Sequence, residues 1–188
     1  METTMTNTDA LSMSHAEMVE AIQSATHEVF TTMLNLSLTE GNPPSEKVPL
    51  EPGSGVVSFI GLAGTWVGSG SLILTTEFAC KIASQLLMAE YQQIDDDVLD
   101  AVAEVTNMIM GNVKTVLETR LGPMGLSIPT IIYGKNFQTR SAGTQEWTVV
   151  PFLFENERMC VQVCISPNVN TDKRTIRPIF PIPHMVQL

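Results

Sequence analysis

The apolar residues of the chain follow two patterns in turn, a helical period and the runs or alternation typical of strands. Apolar residues recur at steps of three and four over 14–36, 77–88 and 97–120, which predicts three helices. Apolar or alternating runs predict five strands, at 55–63, 65–74, 127–133, 147–154 and 159–165. The order α-β-β-α-α-β-β-β predicts an α+β (mixed α/β) domain, with a largely antiparallel sheet packed on two long helices.

Local signals mark the ends of the predicted helices. Ser14 and Glu17 have the spacing of a capping box, and Thr76 is the predicted cap of the second helix. The carboxylates of Asp95–Asp97 can satisfy free amides at the start of the third helix, and Gly122 supplies its stop. These signals agree with the hydrophobic period, so these four boundaries are each supported by two features of the sequence.

The 188 residues suffice for one ordinary domain, which we expect to span 14–166. A disordered leader is predicted at 1–13 and a Pro-rich tail at 167–188. The leader lacks the pattern of a secretory signal, and no apolar run approaches the roughly 18 to 20 residues that cross a bilayer. Three cysteines are an odd number for a disulfide framework, which favours reduced thiols and a cytoplasmic protein without a membrane partner.

The charge and the reactive side chains narrow the possible functions. A formal net charge of −10 repels phosphate backbones, so no nucleic-acid partner is expected. His15, His27 and His184 lack the spacing of metal ligands, and Cys160 and Cys164 are predicted packing residues on one strand. No Ser-His-Asp set, P-loop or dinucleotide fingerprint occurs. We therefore predict neither a metal site nor a cofactor of the protein's own.

The third predicted helix has the most informative pattern. Its buried ridge is expected to be Val98, Val102, Val105, Ile109, Val113 and Val116. On the opposite side runs a narrow polar stripe, which consists of Asp100, Glu104, Asn107, Gly111, Lys114 and Glu118. Residues three apart are neighbours on a helix, so the Glu104 carboxylate and the Asn107 carboxamide point the same way. Any amphipathic helix has a solvated polar face, however, so periodicity alone leaves the function of this stripe open.

The segment from Asp97 to Asn112 resembles the signature helix of the CheC/CheX/FliY chemotaxis phosphatases. That signature has Asp or Ser, Glu four residues on, Asn three further, and a proline about 22 residues beyond the asparagine. Its positions are filled here by Asp100, Glu104, Asn107 and Pro129. The predicted hairpin and the helix after it also look like this family, so the resemblance extends over 14–165 and implies a CheX/CheC-like domain.

The resemblance also implies one site per chain. CheC-type members carry the Glu-x-x-Asn pattern on two pseudo-repeated helices. In this chain the first helix has Glu28 but has Thr31 where the asparagine would stand, and threonine offers no carboxamide. A single site is the arrangement of the CheX type, whose members are homodimers, so a homodimer is expected.

The family's activity implies a function for this chain, namely hydrolysis of the aspartyl phosphate of a CheY-like receiver domain in chemotaxis or a related two-component system. The receiver supplies Mg²⁺ and an active-site lysine. On this reading Asn107 orients the attacking water and Glu104 contacts the receiver lysine. Asp100 would adjust docking, and Gly111 would give clearance at a cost of roughly 1 kcal/mol relative to alanine inside a helix.

Two functions of other classes stay open at this point. The domain could be a non-catalytic module that uses the same helix to hold a receiver or a flagellar-switch partner. It could also be a structural dimerisation domain whose polar stripe is merely solvated. Loss of phosphate from a phosphorylated receiver, with and without the protein, distinguishes these alternatives from catalysis.

Overall fold

The structure is a computed structural model that describes residues 13–41, 55–134 and 146–168. These residues form three helices and seven strands: α1 (His15–Met33), β1 (Thr39–Glu40), β2 (Gly55–Gly64), β3 (Trp66–Leu74), α2 (Thr76–Leu87), α3 (Asp96–Leu121), β4 (Met124–Leu126), β5 (Thr130–Gly134), β6 (Thr148–Phe154) and β7 (Glu157–Pro167). The predicted leader, apart from Met13, and the predicted tail beyond residue 168 lie outside the described residues.

All seven described strands join one sheet, and every pair is antiparallel. The order is β1-β6-β7-β3-β2-β4, and β5 pairs with the same edge of β2 as β4 does. Alternate residues of the long strands, such as Leu72, Val161 and Val163, join the buried apolar faces of the helices in one core. The predicted α+β class with a largely antiparallel sheet is therefore confirmed.

Of the segment predicted as a strand at 127–133, only 130–133 belongs to a strand, β5, whereas 127–129 connects β4 to β5. Leu126 pairs with Leu62 of β2, and Thr130 pairs with Phe59, so the three residues 127–129 lie opposite only two residues of β2. An extra residue on one strand interrupts the ladder and changes the direction of the side chains, as in a β-bulge. Pro129 reinforces the interruption because it has no N–H to donate to the ladder.

The ends of α2 and α3 follow from their caps. Thr75, rather than the predicted Thr76, caps α2, because its Oγ1 accepts a hydrogen bond of 3.2 Å from the N–H of Phe78. Asp95 caps α3 in the same way, accepting from the N–H of Val98 at 3.0 Å. At the other end α3 stops at Gly122, whose φ of 82° suits glycine.

The buried ridge of α3 agrees with the prediction over its first four turns but not at its end. Val98, Val102, Val105, Ile109 and Val113 are fully buried, whereas Val116 is 40% exposed. Leu117 is buried instead, because a long helix crossing a twisted sheet turns its buried side gradually around its axis. The polar side of the first turns remains exposed, and it carries the candidate site.

Candidate functional site

Three residues of the polar stripe line one side of a surface groove in the N-terminal half of α3. Asp100, Glu104 and Asn107, together with Ala103, form one wall. The other wall is the segment 127–129, which separates β4 from β5. The groove has a volume of about 460 Å³, and we refer to it as the α3 groove. The structure thus brings the Glu104–Asn107 pair beside Pro129, the other conspicuous residue of the sequence pattern, while Gly111 lies outside the groove lining.

The second wall is held to the sheet by Ser127. The N–H of Ser127 donates to the carbonyl of Gly61 at 2.9 Å, and the N–H of Gly61 donates to Ser127 Oγ at 2.8 Å. Ser127 Oγ also donates to the carbonyl of Ile128 at 3.0 Å. These bonds continue the attachment to β2 across the interrupted register, so the wall keeps its position relative to α3. Sequence reasoning missed Ser127 and Ile128 as site residues; the available signal was Pro129, which directly follows them and interrupts a strand-like run.

The side chains of Glu104 and Asn107 are exposed and available to a partner. Among the residues that the structure describes, none forms a hydrogen bond or ion pair with the Glu104 carboxylate or hydrogen-bonds to the Asn107 carboxamide. A carboxylate can accept hydrogen bonds from a cation, and a carboxamide can both donate and accept without titrating. The pair can therefore hold a cationic group and a water side by side, since its members are one turn apart.

Lys114 and Glu118, at the C-terminal end of the polar stripe, form contacts within the chain. Lys114 Nζ contacts Glu118 Oε2 at 2.7 Å, and the N–H of Met124 donates to Glu118 Oε1 at 2.9 Å. Glu118 therefore ties the first residue of β4 to α3. A Cβ added at Gly111 would meet nothing within 4 Å, so packing within the described chain does not require a glycine there. Lys114 and Glu118 are therefore engaged within the chain, which leaves Asp100, Glu104, Asn107 and Gly111 for a partner.

The charge on Glu118 is expected to stabilise the fold above about pH 4. The hydrogen bond from Lys114, followed by the one from the Met124 N–H, holds the pKa of Glu118 below its ordinary value. A carboxyl whose pKa is lower in the folded chain contributes stability above its unfolded pKa, and loses it as the pH falls through the folded value. Glu118→Gln keeps an acceptor for Met124 but removes the charge, so it should lower the urea midpoint at pH 7, with a difference that shrinks toward pH 3.

Glu20→Gln is the matched control for that measurement, because Glu20 is an exposed carboxylate on α1 without a described ion pair. It should leave the urea midpoint nearly unchanged at both pH values. A midpoint difference for Glu118→Gln that stays constant from pH 7 to pH 3 would show that the charge of Glu118 is not what holds β4 to the helix.

The corresponding positions of α1 are occupied within the chain. Glu28 Oε2 accepts a hydrogen bond of 3.2 Å from Asn112 Nδ2 of α3, so the carboxylate has a partner already. The hydroxyl of Thr31 donates to the carbonyl of His27 at 2.7 Å and is committed to its own helix. Neither side chain is arranged as Glu104 and Asn107 are, which supports the expectation of one site per chain.

The other reactive side chains are placed as packing or surface groups. Cys80, Cys160 and Cys164 are buried, and burial raises the pKa of the Cys160 thiol to about 11. His27 packs edge-on against Phe152. Within the described residues, no group of three or more His, Cys, Asp and Glu side chains is placed to hold a metal ion. Of the three described helices, none combines the length and the hydrophobicity needed to cross a bilayer.

The fold is that of CheX/CheC-like chemotaxis proteins, and comparison with a family model gives its family. The model of the family described as "Chemotaxis phosphatase CheX" matches residues 56–153. That is more than half of the chain, and it includes Asp100, Glu104, Asn107 and Pro129. The chain belongs to the CheX family.

Individual relatives agree with this assignment. A Thermotoga maritima protein named "CheY-P phosphatase CheX" is 28% identical over 129 residues, which cover 68% of this chain and 83% of that protein. The solved structure of a chemotaxis protein CheX from Desulfovibrio desulfuricans is 26% identical, with a TM-score of 0.69 and coverage of 80% of this chain and 99% of that chain. A chain in the CheX–CheY–BeF3–Mg²⁺ complex from Borrelia burgdorferi is 30% identical, with a TM-score of 0.65 and coverage of 78% and 96%.

Proposed function

We propose that this protein hydrolyses the aspartyl phosphate of a CheY-like receiver domain in chemotaxis or a related two-component system. The observation that carries the proposal is the exposed Glu104–Asn107 pair, whose side chains have no polar partner among the described residues and which faces the Pro129 wall of the α3 groove in a member of the CheX family. The name of the Thermotoga relative and the composition of the Borrelia complex support the same substrate. The chain acts as an enzyme of the hydrolase class, and the reaction returns the receiver's aspartate to its unphosphorylated form.

Asn107 orients the water that attacks phosphorus. The water oxygen bonds to phosphorus as the bond between phosphorus and the receiver's aspartate oxygen breaks, which releases inorganic phosphate and the aspartate carboxylate. Catalysis of phosphoryl transfer depends mainly on positioning and electrostatic stabilisation, and a carboxamide can align a water without changing its own protonation. Its exposed position on a rigid helix lets it enter the receiver's active site while its own backbone stays fixed.

Glu104 fixes the docking register through a charge-assisted contact with the receiver's active-site lysine. Asp100 lies one turn before Glu104 in the same wall, where its carboxylate adjusts docking. Gly111 lies about one turn beyond Asn107 and gives clearance to the receiver backbone, in agreement with the open space at its missing Cβ. In this arrangement Asn107 acts in catalysis and Glu104, Asp100 and Gly111 act in docking.

The receiver brings the Mg²⁺ that neutralises the phosphoryl oxygens, and the phosphatase has no cofactor of its own. The Borrelia complex contains Mg²⁺ together with CheX, CheY and beryllium fluoride, a stable analogue of a phosphoryl group. The described part of this chain offers the groove two carboxylates, Asp100 and Glu104, and no third acidic, His or Cys ligand to accompany them. The groove residues thus fit contact with the receiver better than a metal site of their own.

The phosphatase domain spans 14–166, and the protein acts in the cytoplasm, where receivers occur. It forms a homodimer, as the resemblance to the CheX type implies. Sedimentation equilibrium at micromolar concentration should give twice the chain mass of 20.5 kDa, whereas a mass near 20.5 kDa throughout would contradict the dimer.

The test of the function is the decay of phosphate on CheY-like receivers of the organism that encodes this chain. Each receiver is phosphorylated with a small-molecule phosphodonor, the donor is removed, and phosphate is followed with increasing amounts of the protein. We expect faster loss for at least one receiver, to a rate that saturates. Unchanged decay together with binding of the beryllium-fluoride-loaded receiver would identify a docking module, and unchanged decay without binding would overturn the proposal.

A further inference from the structure

Ile128 is the most unusual apolar side chain of the α3 groove. It is 88% exposed, although isoleucine is among the residues most often buried in folded proteins. It lies in the wall opposite Glu104 and Asn107, and the other large exposed hydrophobic residues of the described chain do not line the groove. A single exposed apolar residue is ordinary, but this one faces the proposed reaction site.

The backbone around Ile128 is restrained from both sides. Its carbonyl accepts the hydrogen bond from Ser127 Oγ, and Ser127 itself is bonded twice to Gly61 of β2. The ring of Pro129 restricts the residue before it to extended conformations. An exposed group that is already fixed loses little conformational freedom when a partner covers it. The side chain of Ile128 is therefore presented outward by a segment that does not have to reorganise.

The electrostatics of the groove favour an additional apolar contribution. Asp100 and Glu104 make the groove negative, and the charge contact proposed there is the one between Glu104 and the receiver lysine. Exposed charge contacts of this kind contribute little and are weakened further by salt. Burial of an isoleucine side chain adds affinity that does not depend on charge.

We propose that Ile128 is an apolar anchor for the receiver domain, inserting beside the phosphorylated aspartate and setting which receivers bind. The inference rests on the proposed function, since it takes the receiver as the occupant of the groove. Ile128 touches the partner surface and not the reacting atoms, so it acts on affinity and selectivity rather than on the chemical step. Interface anchors of this kind are large side chains that a partner covers, and Ile128 is the exposed large hydrophobic residue of the groove lining.

The experiment compares wild-type protein with Ile128→Ser, Ile128→Val and the control Met88→Ser. Met88 is 94% exposed and lies at the end of α2, outside the groove lining. Phosphate loss from the receiver is measured under single turnover to obtain a limiting rate and a half-saturating phosphatase concentration. The binding of the beryllium-fluoride-loaded receiver is measured separately at low and high salt.

Ile128→Ser should raise the half-saturating concentration and the dissociation constant about tenfold, at low and high salt alike, with an unchanged limiting rate. Ile128→Val should restore most of the affinity, and Met88→Ser should match wild type. An unaltered half-saturating concentration in Ile128→Ser, or a fall confined to the limiting rate, would overturn the anchor while leaving the proposed function intact.

The two proposals fail in distinguishable ways. If wild-type protein does not accelerate phosphate loss but binds the loaded receiver, the proposed activity falls, and weaker binding by Ile128→Ser would still support the anchor. If wild-type protein neither binds nor accelerates, both proposals are overturned. Because Ile128 is exposed, its replacement leaves the core unchanged, and equal urea midpoints for the four proteins exclude misfolding as the cause of a difference.

Discussion

Replacing Asn107 with alanine should reduce the limiting rate of phosphate loss by about 100-fold or more, while receiver binding changes by less than about threefold. Loss of one positioned hydrogen-bonding group typically costs about 10²–10³ in rate, because the reacting water no longer occupies the in-line position. The carboxamide is exposed and has no described hydrogen-bond partner, so its removal leaves neither a cavity nor a buried unsatisfied group. The variant should fold as the wild-type chain does.

The matched control for Asn107→Ala is Asn112→Ala on the same helix. Asn112 lies outside the lining of the α3 groove, and its carboxamide donates to Glu28. It should therefore keep the wild-type rate, even if the link between α1 and α3 is slightly weakened. Retention of the full acceleration by Asn107→Ala would contradict the proposed mechanism without touching the family assignment. An equal loss in both variants would point to disturbance of the helix rather than to positioning of water.

The sequence was sufficient to predict α3 and the exposure of its upper polar residues. Val98, Val102 and Val105 repeat at steps of three and four, and such a strong period defines the buried side and the opposite side together. Asp95 and Gly122 then mark the ends locally, Asp95 through its side-chain cap and Gly122 through its positive φ. The exposure of Glu104 and Asn107 follows from this period and these helix ends without any knowledge of tertiary contacts.

The rest of the site depends on contacts between segments that are distant in the sequence. The interruption at 127–129 results from the registers of β4 and β5 against β2, which no local pattern specifies. For Glu118, the helical spacing from Lys114 allows that ion pair to be expected, but the hydrogen bond from the backbone N–H of Met124 depends on the tertiary fold. Val116 is exposed for a similar reason, because the path of the helix across the sheet decides which residue is covered. Periodicity therefore gives the first wall of the groove, and only the fold gives the second.

Glu104→Gln should weaken docking roughly 10- to 100-fold, with a smaller effect on the limiting rate. Hydrogen bonds to charged groups contribute about 1.5–3 kcal/mol, and glutamine keeps the shape of the side chain while it loses the charge. Because the contribution is electrostatic, the difference in dissociation constant between Glu104→Gln and wild type should shrink as salt is raised. Binding of the beryllium-fluoride-loaded receiver at two ionic strengths measures this directly.

Glu20→Gln provides the matched control for Glu104→Gln, since it changes the net charge by the same amount on an exposed face of α1. It should leave binding and rate within about twofold of wild type, because a single charge outside the contact is largely screened. If Glu104→Gln also behaves like wild type in both measurements, its docking role is wrong. If it lowers only the limiting rate, Glu104 acts on the reaction itself. The salt dependence of binding thus distinguishes the two walls of the groove. The effect of replacing Glu104 on receiver affinity should fade at high ionic strength, whereas the effect of replacing Ile128 should persist.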